Sequence, residues 1–309
     1  MAQQLPSIKF FTSNDDQQLA YQDIGNPSQP LLILLHGFTG TSLCFTKALP
    51  THIQQAFRVI APDLRGHGAS AKPAYGYHVS RLAMDLQNLI SHLEYASKSS
   101  VNVVAGSLGC SILWSYAELF TPHVFGSMVW VDQAPMQNYA FDGSWGPDMG
   151  NRGMNCEAAV RQLFQDMSED PDKVYLSTID ACLSYRSHPE ASDSVTREKM
   201  EEDRNFFLEQ ARRGNPIWYA QLMKDHTAKD WRDVLKTCFR GKRVFVMASD
   251  RSGCFPKEGV LEASRLVNEG GGTSTGLSIS WGGHWAYWED PETFWKLVTA
   301  FFDREPISQ

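Results

Sequence analysis

Long hydrophobic runs are missing from this chain. The longest strongly apolar stretch, Leu31–Leu35, is five residues, far short of the ~20 that a bilayer-spanning helix needs. The first residues, Met1-Ala2-Gln3-Gln4-Leu5-Pro6, hold neither a basic nor an apolar signal region, so no secretory signal is expected. Runs of positive charge are absent too. No Lys/Arg run exceeds two residues, and 28 basic against 35 acidic side chains leave a net charge of −7. A phosphate-tracking surface needs clustered cations, so neither nucleic acid nor membrane is an expected partner. The six cysteines (44, 110, 156, 182, 238 and 254) form no C-x-x-C and no short Cys–His spacing. Reduced, buried thiols are expected rather than disulfides or zinc, and the cytoplasm is the expected compartment. Histidines and carboxylates never fall at ligand spacing with a third partner, so no metal is expected.

What is present is a chain of 309 residues with 42% apolar and 20% charged side chains, ample for one large folded core. Short Val- and Ile-rich runs recur at Leu31–Leu35, Phe57–Ala61, Val101–Ala105, Met128–Val131 and Val244–Ala248. Continuous apolar character over so few residues predicts strands of a parallel sheet covered on both faces. Helical patterns lie between them at Val79–Tyr95 and Leu108–Phe120, and a last helix is expected over Pro291–Phe302. An opening hairpin is expected from Ile8–Thr12 and Leu19–Ile24, split by Asn14-Asp15-Asp16. The alternation predicts an α/β fold with a mostly parallel, doubly wound sheet. It breaks from residue 136 to residue 241, where polar helical stretches such as Glu198–Ala211 and Trp218–Lys224 replace strands. A hundred residues cannot be one loop. The expected organisation is a core of residues 1–135 and 242–309, with 136–241 as a helical insertion between strands six and seven.

Three motifs carry chemistry. In Val103-Val104-Ala105-Gly106-Ser107-Leu108-Gly109 a buried strand runs into a serine among small residues, and a helix follows at once. That is the context of a nucleophile elbow G-x-S-x-G, with Ala105 in place of the first glycine. The bland reading is a plain Gly/Ser turn. The second motif, His36-Gly37-Phe38, ends the Leu31–Leu35 strand. There the Phe38 N–H, together with the Leu108 N–H, can form an oxyanion hole. His36 itself is expected to bond locally. In the third, Ser280-Trp281-Gly282-Gly283-His284-Trp285, a histidine follows a strand and two glycines. A lone histidine is more often structural, but one placed late in a chain that holds an elbow serine fits a general base. Trp130 and Trp285 flank the chemical residues and are expected to contact substrate. The insertion's aromatics, Tyr139, Phe141, Trp145, Phe206, Phe207, Trp218, Tyr219 and Trp231, are expected mostly to pack its own core, with some reaching the pocket. His67, in Arg65-Gly66-His67-Gly68, is expected to be architectural.

With Asp63-Leu64-Arg65-Gly66-His67-Gly68-Ala69-Ser70 and Glu289-Asp290-Pro291-Glu292 added, the four motifs in this order resemble the α/β-hydrolase fold family. The resemblance implies a Ser–acid–His triad with Ser107 as nucleophile and His284 as base, an oxyanion hole at Phe38 and Leu108, a helical cap (lid) over the pocket formed by the insertion 136–241, and no cofactor. A serine argues against the dehalogenase and epoxide hydrolase branches, which resemble this scaffold but use aspartate. The family's usual acid pattern, anchored on Pro256, falls on Ser252 rather than on an acid. Asp250 lies two residues out of register, and Asp132, after the sixth strand, is the other choice. Register favours Asp132. The expected activity is cleavage of a carboxylic ester or lactone of an apolar or aromatic small molecule. A perhydrolase, a C–C hydrolase or a biosynthetic enzyme on the same triad is the alternative, and a non-catalytic ligand-binding receptor is a third. The oligomeric state stays open, a homodimer among the options.

Overall fold

The computed structural model describes residues 7–95, 101–140 and 142–307. Eight strands form one sheet: β1 (Ile8–Thr12), β2 (Gln18–Ile24), β3 (Leu31–Leu35), β4 (Arg58–Pro62), β5 (Val101–Gly106), β6 (Phe125–Val131), β7 (Arg243–Ser249) and β8 (Thr273–Ile279). Their order is β1-β2-β4-β3-β5-β6-β7-β8. β1 and β2 form the antiparallel edge, and β3 to β8 all run parallel. Alternating side chains feed two apolar layers. On one face Ile33, Val103, Met128 and Val246 pack under the helices Val79–His92, Leu108–Phe120 and Lys257–Glu269. On the other, Leu32, Val104, Val129 and Phe245 meet the helix Pro291–Phe302. Being covered on both sides is why the central strands read as unbroken apolar runs.

Strand order decides where chemistry can sit. From β3 the chain goes one way to β4 and then returns to place β5 on the other side. The loops after β3 and β5 therefore diverge at the sheet's C-terminal edge and leave a crevice, where open α/β sheets bind ligands. The loops after β6, β7 and β8 open at the same edge. Main-chain bonds stitch them together there: Ser107 N–H to Val131 O (3.0 Å), Asp132 N–H to Met247 O (2.8 Å) and Asp250 N–H to Ile279 O (2.9 Å).

Between β6 and β7 the described residues form six helices: Glu157–Glu169, Pro171–Cys182, Ser184–Ser187, Arg197–Ala211, Pro216–Thr227 and Arg232–Cys238. Their caps are written in the sequence. Asp170, Thr196 and Asn215 each accept a hydrogen bond from a backbone N–H of the first turn. Two buried histidines support the crevice floor. His36 Nδ1 donates to Gly37 O (2.8 Å) and its Nε2 accepts the Leu64 N–H (3.0 Å). The His67 ring packs 5.2 Å away. Burial pushes both imidazoles below their ordinary pKa, so both are neutral spacers. Arg65, fully buried, clamps Asp85 through two 2.8 Å bonds and ties the hairpin turn to the helix Val79–His92.

Gly109 shows how tightly the elbow helix sits on the sheet. A Cβ there would lie 2.5 Å from the Leu35 carbonyl oxygen. Replacing a helical glycine by alanine normally stabilises by roughly 0.5–1 kcal/mol, but overpacking costs about 1–3 kcal/mol. Gly109→Ala is therefore expected to lose stability in urea unfolding; a net gain would show that the helix has room to move.

Candidate active site

Five loops bring the site together, each from the C-terminal end of a parallel strand. Ser107 follows β5 directly and holds φ 53°, ψ −123°, a strained backbone for a residue with a side chain. The strain lifts its hydroxyl out of the strand direction at the start of the helix Leu108–Phe120. Asp132, the residue after β6, repeats the device with φ 48°. Phe38 follows β3, and Thr39 beyond it also has positive φ. His284 lies between β8 and the short helix Ala286–Glu289.

Asp132 and His284 meet across 152 sequence positions. His284 Nδ1 lies 2.6 Å from Asp132 Oδ2, and both side chains are almost wholly buried. The carboxylate is held on its other sides: Oδ1 accepts the Ser249 N–H (3.2 Å) and Oδ2 the Ser252 hydroxyl (2.6 Å). Ser252 Oγ in turn accepts the N–H groups of Cys254 (3.1 Å) and Phe255 (3.2 Å). The residue at the family's usual acid position thus hydrogen-bonds the aspartate. Asp250 points elsewhere, to Lys257 Nζ (2.5 Å) and Ser278 Oγ (3.0 Å). Burial alone would lower His284; the Cys254 sulfur and the Asp132 carboxylate beside it outweigh that and hold the imidazole above its ordinary value.

Ser107, His284 and Phe38 line one cavity with Trp285, which stacks on Phe207 at 3.9 Å. The N–H of Phe38 makes no hydrogen bond among the described residues. Leu108, the first residue of its helix, has no partner for its N–H either. Leu108 follows the serine directly and Phe38 lines its cavity, so both residues bring an unpaired N–H to the site.

Trp130 is a correction. Alternation along β6 sends it to the opposite face from Val129 and Val131, where it packs edge-on against Trp114 (5.5 Å) and Phe239 (5.0 Å). It does not line the cavity. Nor does any described aromatic of the insertion; Phe141 lies outside the described residues. The cysteine reading also needs amendment, since Cys156 is exposed and Cys238 and Cys254 are half-buried; all six are free.

Three contributors were not singled out from sequence. Ser252 braces Asp132. Glu289 accepts from Ser184 N–H (2.8 Å), Ser184 Oγ (2.6 Å) and Gly283 N–H (2.6 Å), so one carboxylate joins the histidine loop to the insertion. Burial raises its pKa against these donors. The third is the pair Cys182 and Cys254, whose sulfurs lie 3.6 Å apart beside His284. These three ligand-type residues form a metal-capable group where sequence spacing predicted none, because 72 positions separate the cysteines. Glu289 lies five residues after His284, but its partner Ser184 is 105 positions away, so no spacing signal marks it; only the fold pairs these groups.

The chain matches the family model for the alpha/beta hydrolase fold over residues 30–291. It belongs to the α/β-hydrolase fold family. It is 38% identical over 86 residues to the soluble epoxide hydrolase of a Corynebacterium species, covering 28% of this chain and 29% of that protein. It is 34% identical over 108 residues to a 2-(acetamidomethylene)succinate hydrolase of Mesorhizobium japonicum, covering 35% and 37%. The matched stretches span about a third of the length of these curated relatives. In three dimensions it superimposes on an esterase from Exiguobacterium antarcticum with TM-score 0.80 at 18% identity, covering 96% of this chain and 99% of that one. Among the described residues no helix is long and apolar enough to cross a membrane.

The buried contact is open to a direct check. Proton NMR should show one strongly deshielded His284 Nδ1 proton that Asp132→Asn abolishes and Asp250→Asn leaves in place. Its survival in Asp132→Asn would assign the partner wrongly.

Proposed function

We propose that this protein is a serine hydrolase that cleaves an uncharged carboxylic ester or lactone through Ser107, His284 and Asp132. One observation carries the reading: an elbow serine shares a cavity with Phe38, whose N–H is unpartnered like that of Leu108, and with a histidine whose far nitrogen is held by a buried carboxylate. Each part has a task. With its Nδ1 proton committed to Asp132, the neutral form of His284, which gains population as pH rises because the imidazole's pKa is raised, presents Nε2 as the base that takes the Ser107 proton. The serine oxygen attacks the carbonyl carbon, and the N–H groups of Phe38 and Leu108 stabilise the tetrahedral oxyanion. His284 then protonates the leaving alcohol, and water activated by the same nitrogen releases the acid. The chemistry asks for no cofactor, and a small molecule is the only partner required.

The cavity's composition supports an uncharged substrate. Its lining includes Phe38, Met154, Leu163, Val174, Met223 and Trp285, with Gln137, Asn151, Ser177 and Thr178 as polar groups, and among the described residues holds no Arg, Lys, Asp or Glu. His226, also in the wall, is pushed down to about 3 by burial and is neutral. A free carboxylate on the substrate would be stripped of water with no cation to meet it. The relative from Mesorhizobium is named for a succinate, a doubly anionic substrate; this cavity lacks the charge to hold one. Much of the lining comes from residues 136–241, which supports their role as a cap over the site.

The test is a matched panel of neutral and carboxylate-bearing p-nitrophenyl esters and lactones. Neutral members are expected to turn over, and their carboxylated analogues to lose at least tenfold in kcat/KM. Asp132→Asn should lower kcat by about 10³–10⁴-fold, while Asp250→Asn stays near wild type. A preference for the anionic esters would overturn the substrate class. Wild-type activity in Asp132→Asn would overturn the assignment of the acid. Tight ligand binding without turnover anywhere in the panel would favour a receptor.

A further inference from the structure

The cavity wall carries a second chemical cluster that hydrolysis does not use. Cys182 ends the helix Pro171–Cys182, Cys254 lies in the loop after β7, and His284 in the loop after β8. All three line the same cavity. The sulfurs are 3.6 Å apart, and the three ligand atoms (two Sγ and one ring nitrogen) lie within 4.8 Å of one another.

Distances discriminate between the uses of such a pair. A disulfide requires its sulfurs at about 2.05 Å, roughly 1.5 Å closer than they stand. Two thiolates at about 2.3 Å from one tetrahedral zinc span an edge of about 3.8 Å, which is nearly the separation observed. The histidine nitrogen stands within 4.8 Å of both sulfurs, and a shared tetrahedral ion would hold it about 3.5 Å from each. The orientation of His284 suits a ligand as well. Metal-binding histidines typically donate their other ring N–H to a carboxylate, and here Asp132 accepts from Nδ1 at 2.6 Å. That leaves Nε2 for a cation. Three protein donors leave a fourth tetrahedral position open toward the cavity.

We propose that Cys182, Cys254 and His284 form a binding site for one thiophilic divalent cation of the zinc class. Binding is an exchange without redox: two S–H bonds break, two metal–sulfur bonds and one metal–nitrogen bond form, and two protons leave to solvent. Occupancy ties the insertion to two core loops and takes the lone pair that the proposed hydrolysis requires. Inhibition therefore rests on the serine hydrolase reading; cation binding does not.

The experiment separates the two. Ser107→Ala protein, kept reduced with a phosphine, is titrated with Co²⁺ and Cd²⁺. Sulfur-to-metal charge-transfer absorption and equilibrium dialysis are the readouts. One cation per chain is expected, with micromolar or tighter affinity for Cd²⁺ and Zn²⁺. Cys182→Ala and Cys254→Ala should each weaken it by at least about 100-fold, with Cys182→Ser and Cys254→Ser as backups if the alanine variants do not fold. Cys156→Ser and Cys238→Ser should leave it unchanged. No charge-transfer band at millimolar cation, or equal affinity in the Cys182 and Cys254 variants, would overturn the site. So would a Cys182–Cys254 disulfide forming readily while the reduced protein binds no cation. In the active protein, Zn²⁺ should inhibit and a chelator restore the rate, each variant being compared with its own metal-free rate. Stoichiometric binding without inhibition would leave the site standing and count against His284 as the base.

Discussion

The buried hydrogen bond between Asp132 and His284 is the contact on which the site's geometry turns. A carboxylate withdrawn from water is costly unless its oxygens are satisfied. Here Ser249, Ser252 and His284 satisfy them. The arrangement requires three loops, from β6, β7 and β8, to converge within hydrogen-bonding distance. They can do so because the strands are parallel neighbours whose C-terminal ends share one edge of the sheet. The sheet supplies the rigid register, and the loops supply the chemistry.

Strain is concentrated at the same edge. Ser107 and Asp132 both hold positive φ without being glycine, a cost on the order of 1–3 kcal/mol each. The buried strands beneath bear it: Val104, Ala105, Val129 and Val131 are all essentially inaccessible. The backbone therefore cannot relax toward an ordinary turn without breaking the ladder from Ser107 N–H to Val131 O. Glu289 adds a second brace, anchoring the histidine loop to the start of the helix Ser184–Ser187 and so linking the insertion to the sheet's C-terminal edge.

Legibility followed burial. The central strands announced themselves because two covered faces leave no polar positions, and the elbow could be read because Ser107 stands among small residues for steric reasons. β8, an exposed edge strand of Thr, Ser and Gly, showed almost no apolar signal. Asp132 is favoured in the sequence only by register, since no local pattern marks a carboxylate whose histidine partner lies 152 positions away. Trp130 misled because adjacency in sequence says nothing about which face of a strand a side chain takes. The cysteine pair and Glu289 were silent for a related reason: their partners lie in other loops, and only the fold brings them together.

The central claim is that Ser107 is an activated nucleophile. Intact mass spectrometry after exposure to a fluorophosphonate tests it without knowledge of the substrate. The account predicts one adduct per chain on the wild-type protein and none on Ser107→Ala. An equal adduct on both proteins, or none on a correctly folded wild type, would contradict it.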